Sequence, residues 1–470
     1  MRLSSVRWRR VAALPCLVAL LVVGGCQSSD LPSSPATTKA LAAEPAPAPA
    51  APRAPAPAEP AAPATPGTDA AGAVPPAIPA PIAPTLKAGP KGEVRAALLV
   101  PLSGPSAAIG TMLSNAAQLA VFEVGDEHFD LIPVDTKGTP DGAAAAARQA
   151  LTQGADIILG PVFSPEVKAA APVARQQSIP VVAFTTDRSA LGNGVYSVGF
   201  LPAPQVRRVV AQAMADNRGR FAVLAPDNEY GHAMADALQD AVVQAGAGAR
   251  VVRSQFYDPA APDLTAVAKR FTDYDRHRAD LDRDREALSG RAGSRQALDA
   301  AQAGAIPYPY DAVLLPDDGV RLKSVASLIT YYGIDPAQIR LLGTMLWDDP
   351  RLADEPALQG GWYPVPPPAA HVAFEARYLK AFGPLPARFG KLASSAYDAT
   401  ALAAVLARRG QGDYSQAALT SADGFAGVDG IFRLLPDGTA DRGLEVLEVE
   451  RGGPPKEVSP APTAFGGPMP

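Results

Sequence analysis

A chain of 470 residues, 47 % hydrophobic and 19 % charged, exceeds one ordinary core and predicts two lobes or more. A formal net charge of −5 argues against a nucleic-acid surface held by a basic field, and two cysteines exclude a disulfide scaffold or a cysteine-rich metal site. The 50 prolines are more than packed secondary structure uses, so part of the chain is expected to be extended linker.

The first ten residues carry Arg2, Arg7, Arg9 and Arg10 and no acid, and an apolar run from Val11 to Val23 follows. That run is shorter than the ~18–20 residues a membrane-spanning helix needs, so residues 1–25 read as a secretory signal peptide. The stretch Val23-Gly24-Gly25-Cys26 resembles the bacterial lipobox, which implies cleavage before Cys26 and acylation of its thiol. Cys16 would leave with the signal, so the mature chain has no second thiol for a disulfide. Losing the four arginines takes the formal net charge from −5 to −9. Several acyl chains anchor stably, at ~0.8 kcal/mol per buried CH₂, where one chain is marginal. Gln27 stands where lipoproteins retained at the inner membrane carry Asp; the resemblance therefore implies an outer-membrane anchor facing the periplasm.

Residues 26–92 form a linker dominated by Ala and Pro, with few charges and almost no aromatics. Such a segment cannot bury enough apolar surface to offset its ordering entropy, so a disordered tether is expected. As polyproline II at ~3.1 Å per residue its stretch 31–90 would reach at most ~190 Å, and as a flexible coil nearer ~45 Å. Filler of no selected length is the alternative reading.

From residue 93 short apolar runs alternate with alanine-rich, helix-length stretches. Strands are expected at Val94–Val100, Phe129–Val134, Ala155–Leu159 and Pro180–Phe184, with helices at Ser114–Val124, Asp141–Thr152 and Pro165–Gln176 between them. The pattern restarts with strands at Phe221–Ala225, Ala249–Phe256, Asp311–Leu315 and Arg340–Leu342. Helices are expected at Gln205–Asn217, Gly231–Ala245, Gly319–Tyr331, Phe374–Phe382 and Ser395–Arg409. Gly361–Val365, Gly430–Leu434 and Leu444–Val449 read as antiparallel or edge strands. The expectation is an α/β body over 93–450 built of two doubly wound, Rossmann-like lobes. Lobe 1 takes about 93–202 and 346–428, and lobe 2 about 203–345 and 429–450. The Gly- and Pro-rich tail 451–470 reads as disordered.

In parallel α/β sheets ligands sit beyond the carboxyl ends of the strands. The loops there carry Ser103 and Ser106 after the first strand, Phe163 and Ser164 after the third, and Thr185 and Thr186 after the fourth. The second lobe offers Asn228 and Tyr230, then Asp317, then Trp347. Hydroxyls at helix starts suit an anionic or zwitterionic guest, and they equally suit plain helix capping.

The order of these loops resembles the type I periplasmic-binding fold in its branched-chain amino-acid-binding branch. The resemblance rests on Pro101-Leu102-Ser103-Gly104 with Gly110, Gly160-Pro161 with Ser164, Ile179-Pro180-Val181-Val182 with Phe184, and Asn228-Glu229-Tyr230-Gly231. With the lipobox, the tether, Leu342–Pro350, Gly360–Tyr363, Ala396–Ala399 and Gly424–Phe432, the chain also resembles proteobacterial penicillin-binding-protein activator lipoproteins. That resemblance implies a bifunctional penicillin-binding protein as partner, stimulated by direct contact, with no cofactor. A solute-binding lipoprotein of an amino-acid or peptide ABC import system, with a small molecule in the cleft, is the alternative. The fold resemblance implies a ligand carboxylate on Ser164, Thr185 and Thr186 and an ammonium on an aromatic hydroxyl plus an acid. No acid stands at the matching place, although Asp317 and Asp348 lie near; an unpaired ammonium is expensive, which weighs against a free amino acid.

The densely charged segment 269–302 has Tyr274, Leu281 and Leu288 spaced by seven and reads as a long polar helix, with Arg276/Asp280 and Arg278/Asp282 as i,i+4 pairs. It is either a solvated excursion or a partner-facing arm. His128, His232, His277 and His371 are scattered, and HExxH, GxSxG and P-loop patterns are lacking, so no enzyme is expected.

Overall fold

In the computed structural model, β1 (Val94–Val100) pairs in parallel with β2 (Phe129–Asp135) on one side and β3 (Ile157–Leu159) on the other. β4 (Val181–Ala183) and β5 (Val195–Ser197) extend the sheet, whose order is β2-β1-β3-β4-β5. The structure describes residues 94–466 apart from 247, 289–307, 387–389 and 411. The signal, Cys26 and the Ala/Pro linker lie outside the described residues, as does most of the charged segment beyond 288.

The apolar run of β1 is continuous because both of its faces are covered. Ala96, Leu98 and Val100 point into one core with α1 (Ala107–Val124), while Ala97 and Leu99 point into another with α2 (Pro140–Thr152) and α3 (Ser164–Arg175). Alanines dominate the facing helix surfaces, such as Ala146 and Ala150 of α2 and Ala170 and Ala174 of α3. Thr139 caps α2, accepting from Gly142 N at 3.0 Å, with Pro140 just inside.

The second lobe repeats the device. α4 (Pro202–Ala215) leads to β6 (Arg220–Pro226), α5 (Glu229–Ala245) and β7 (Arg250–Tyr257), then β8 (Ala312–Leu314) and β9 (Arg340–Leu342). β10 (Trp362–Val365) is parallel to β9 and antiparallel to β14 (Glu445–Glu448), so it is an interior strand and not an edge. The sheet order is β15-β14-β10-β9-β8-β6-β7, where β15 is Lys456–Ser459.

The differences from the sequence reading have physical causes. Residues 346–365 belong to lobe 2, because β10 pairs with β9 and Trp347 sits in the lobe-2 core. The chain re-enters lobe 1 only with α9 (Pro368–Phe382) and α10 (Gly390–Gly410). A small antiparallel sheet, β11 (Phe425–Gly427), β12 (Gly430–Leu434) and β13 (Ala440–Arg442), then packs Phe432, Leu434 and Ala440 into the lobe-1 core, so the last crossing follows Arg442 and not 428. The tail is ordered through β15, which Arg208 clamps through Ser459 Oγ at 2.6 Å and Pro460 O at 3.0 Å. The charged segment breaks into α6 (Thr265–Phe271) and α7 (Tyr274–Leu288) at Asp273, whose φ is 49°. Asp280 pairs with Arg283, not with Arg276.

Behind the cleft, Glu166 is 1 % exposed; its Oε2 accepts from Thr136 Oγ1 at 3.3 Å and its Oε1 has no partner. Burial pushes this carboxyl up to about 7, against the Thr136 bond. Between the unfolded value near 4.5 and about 7 the folded chain holds a proton that the unfolded chain has lost, so this stabilisation falls as pH rises. Glu166→Gln is therefore expected to flatten the loss between pH 5 and pH 8 by about 1–2 kcal/mol, read from urea midpoints. A slope of the same sign remains from Glu445, which burial also pushes up to about 7. An unchanged slope in the variant would rule out a buried, proton-holding Glu166.

Candidate functional site

The carboxyl ends of both parallel sheets open on one cleft of about 1860 Å³, larger than the ~300–1,000 Å³ of a closed small-molecule pocket. Its lobe-1 wall is the loop after β3, the loop after β4 and the start of α10; its lobe-2 wall is the start of α5, the start of α8 (Gly319–Tyr331) and the turn after β9. Phe163, Ser164, Thr185, Thr186, Asn228 and Tyr230 line it, drawn from three loops of two lobes.

Ser103, Ser106, Asp317 and Trp347 are not among its lining residues. Ser103 Oγ donates to Asp135 Oδ2 at 2.6 Å, and Asp135 Oδ1 also takes Leu102 N and Lys137 N, which ties the first loop down. Ser106 stands at the start of α1, with no cap bond from its side chain. Asp317 is turned inward, where it accepts from Tyr257 Oη and pairs with Arg321 Nε at 2.8 Å. Trp347 is 1 % exposed, donates its indole N–H to Leu315 O at 3.1 Å and packs against Gly343.

Four of these lining residues, Asn228, Tyr230, Ser164 and Thr185, are themselves engaged. Asn228 Oδ1 accepts from Gly231 N at 2.8 Å, which is helix capping. Tyr230 Oη donates to Thr344 Oγ1 at 3.0 Å, and burial raises the phenol pKa. Ser164 Oγ donates to Asp187 Oδ2, which also receives Lys168 Nζ at 2.9 Å. Asp187 Oδ1 takes Ser189 N at 2.8 Å and Ser189 Oγ at 2.6 Å, and Asp187 N donates to Thr185 Oγ1 at 3.1 Å. Burial pushes this carboxyl up, but the bonds from Ser164, Ser189 and Lys168 outweigh it and hold Asp187 well below the usual carboxylate range. Of the three hydroxyls expected to seat a ligand carboxylate, Ser164 thus already holds the chain's own and Thr185 accepts the Asp187 amide, while Thr186 is exposed.

Sequence reasoning missed Asp187, Asp318 and His371. Asp318 is exposed at the start of α8, and its carboxylate makes no cap bond. His371 lines the cleft at the start of α9, with Nδ1 2.7 Å from Asp429 Oδ1 and Nε2 3.4 Å from Glu375. Burial alone would lower the imidazole pKa, but the Asp429 and Glu375 carboxylates prevail and raise it. His232 instead pairs with Asp227 at 2.8 Å and packs on Phe256, with ring centroids 4.3 Å apart.

The crossings are joined by Arg442, the last residue of β13. It donates to Val198 O beside the first crossing, meets Asp398 Oδ2 at 3.4 Å and stacks over Phe200 at 4.2 Å. Two lobes on such a pivot can close on a guest. Among the described residues no group of His, Cys, Asp and Glu is placed to hold a metal ion.

A family profile described as periplasmic binding protein matches residues 93–454. A Leu/Ile/Val-binding protein of Rhizobium johnstonii is 27 % identical over 191 residues, which is 38 % of this chain and 51 % of that protein; the match spans about half the length of this relative. A crystal structure of a putative branched-chain amino acid ABC transporter protein from Rhodospirillum rubrum superposes with a TM-score of 0.61 at 18 % identity, covering 78 % of this chain and 100 % of the other. A periplasmic ligand-binding protein of a branched-chain amino acid ABC transporter from Burkholderia xenovorans gives 0.56 at 17 % identity, covering 80 % and 97 %.

Proposed function

The chain belongs to the periplasmic binding protein family, and from that premise we propose that it is a membrane-tethered receptor that captures a small solute between its lobes and delivers it to an ABC-type import complex. The observation that carries this reading is the cleft, into which both lobes bring polar side chains at the carboxyl ends of their strands, the place where α/β sheets receive ligands. Cys26 would anchor the receptor by its acyl chains, at the outer membrane on the Gln27 reading, and the Ala/Pro linker would let the body range from that anchor.

Binding should raise the melting temperature of the full mature chain, since a ligand at a hundred times its Kd stabilises by about 2.7 kcal/mol. A thermal-shift screen of amino acids, amines, aromatic acids and wall fragments checks this. A screen in which no compound moves the transition counts against the reading.

One observation favours a second reading. The anion seat on Ser164 is filled from within, and a binding protein whose cleft no longer serves a solute could act by contact instead. An outer-membrane activator of a penicillin-binding protein would use the tether as reach across the periplasm. Stimulated glycan polymerisation by a cognate synthase, together with a blank thermal-shift screen, would select it.

A further inference from the structure

We infer that the cleft takes solutes bearing a positive charge and no free carboxylate, such as an amine, diamine or guanidinium compound. The inference rests on the solute-binding reading above and names the ligand class of that same site.

The first ground is the filled seat. The hydroxyl of Ser164, the ammonium of Lys168 and the amide and hydroxyl of Ser189 all converge on Asp187. A guest carboxylate placed there would meet a fixed like charge and would have to displace four donors.

The second ground is the state of the cleft's cations. Arg188 faces Asp437 at 3.5 Å, Arg207 is paired with Asp441, Arg351 with Asp349 at 2.7 Å, and Lys391 with Asp348 at 2.9 Å. Each arginine and lysine among the described lining residues is thus neutralised by an acid of the same cleft, and none is left to receive an anion.

The third ground is the excess that remains. Glu229, Asp236, Asp240 and Asp318 line the cleft, are exposed, and have neither an ion pair nor a side-chain hydrogen bond. Asp318 and Tyr230 both line the lobe-2 wall, which so offers an organic cation a carboxylate and an aromatic ring. Bringing the lobes together without a counter-charge would draw these carboxylates out of water unpaired. A cation removes that penalty, and closure would then be coupled to the charge of the guest.

The test is calorimetric titration of the full mature chain with 1,4-diaminobutane, leucine and benzoate at two salt concentrations. Diaminobutane should bind, more weakly at high salt, while leucine and benzoate should not. Asp318→Asn should weaken diaminobutane at least about tenfold, the loss expected for one charge-assisted hydrogen bond, with an unchanged melting temperature. Asp187→Asn, which removes the charge from the seat, should admit leucine or benzoate. Leucine or benzoate binding the unaltered chain more tightly than diaminobutane would overturn the inference and leave the receptor reading standing, as would diaminobutane binding indifferent to Asp318→Asn. Failure of all three probes overturns the inference alone; the receptor reading falls only if the wider screen is blank as well.

Discussion

Replacing Arg442 by methionine should cost about 3–5 kcal/mol of folding stability, the loss typical of stripping one partner from a buried ion pair. Arg442 and Asp398 are both buried, and Asp398 Oδ1 is already committed to Val428 N at 2.8 Å. Without the guanidinium, the carboxylate faces a core that contains Phe432 and the Asp429 carboxylate. Burial already pushes the Asp398 pKa above its ordinary value while Arg442 holds it down. Removing Arg442 raises it further, so the folded variant binds a proton that the unfolded chain releases near pH 4. Its stability must then fall as pH rises, and the defect should be larger at pH 8 than at pH 5. Urea midpoints of the two proteins at both pH values measure this. Arg442→Met combined with Asp398→Leu should recover much of the loss, because the cost lies in the orphaned charge and not in the missing pair. A single variant within 1 kcal/mol of the parent at pH 8, set against the ~3 kcal/mol minimum expected, would mean that water reaches the pivot.

The long parallel strands were legible because burial on both faces leaves an uninterrupted apolar run; Val94–Val100 is read and observed with the same bounds. β5 and β15 were not. Val195–Ser197 is three residues with Gly194 before it, and Lys456–Ser459 reads as polar because only Ser459 of that edge strand is fully buried. What orders the tail is Arg208, some 250 positions earlier, and no local pattern records it. The lobe boundary was misread for a related reason: β10 is short and follows three single-turn helices, so its parallel partner β9 could not be inferred from spacing. At the site, sequence located the right loops but not the engaged atoms. Asp317 and Asp318 are neighbours, and the choice of which faces the cleft is made by Tyr257 and Arg321 drawing Asp317 inward. Ser164 and Asp187 stand on different loops, 23 positions apart, and their bond exists only because β3 and β4 are adjacent in the sheet.

Gly231→Ala should cost about 3 kcal/mol, at the upper end of what overpacking a tight site does, even though alanine is the better helix former by ~1 kcal/mol. Gly231 is the third residue of α5 and is buried; a Cβ there would overlap the carbonyl oxygen of Pro226, the last residue of β6. That obstacle is backbone, so it cannot rotate away, and the whole first turn of α5 must lift from the strand end. The same seating occurs in lobe 1, where a Cβ on Gly110 would overlap Pro101 O. The glycines of the two loop motifs therefore set how closely a helix start approaches its strand, and their role at the cleft is to fix where the next side chains stand. Lifting the turn in Gly231→Ala would carry Asn228 off its cap and Tyr230 off Thr344, so the variant should lose ligand affinity beyond what its lower stability explains. Gly219→Ala is the matched control, because a Cβ there meets nothing nearer than Met214 Sδ at 3.8 Å, and it should stay within about 0.5 kcal/mol of the parent. Equal midpoints for the two variants would mean that α5 does not sit on the end of β6 as closely as this geometry requires, and the placement of Tyr230 in the cleft would fall with it.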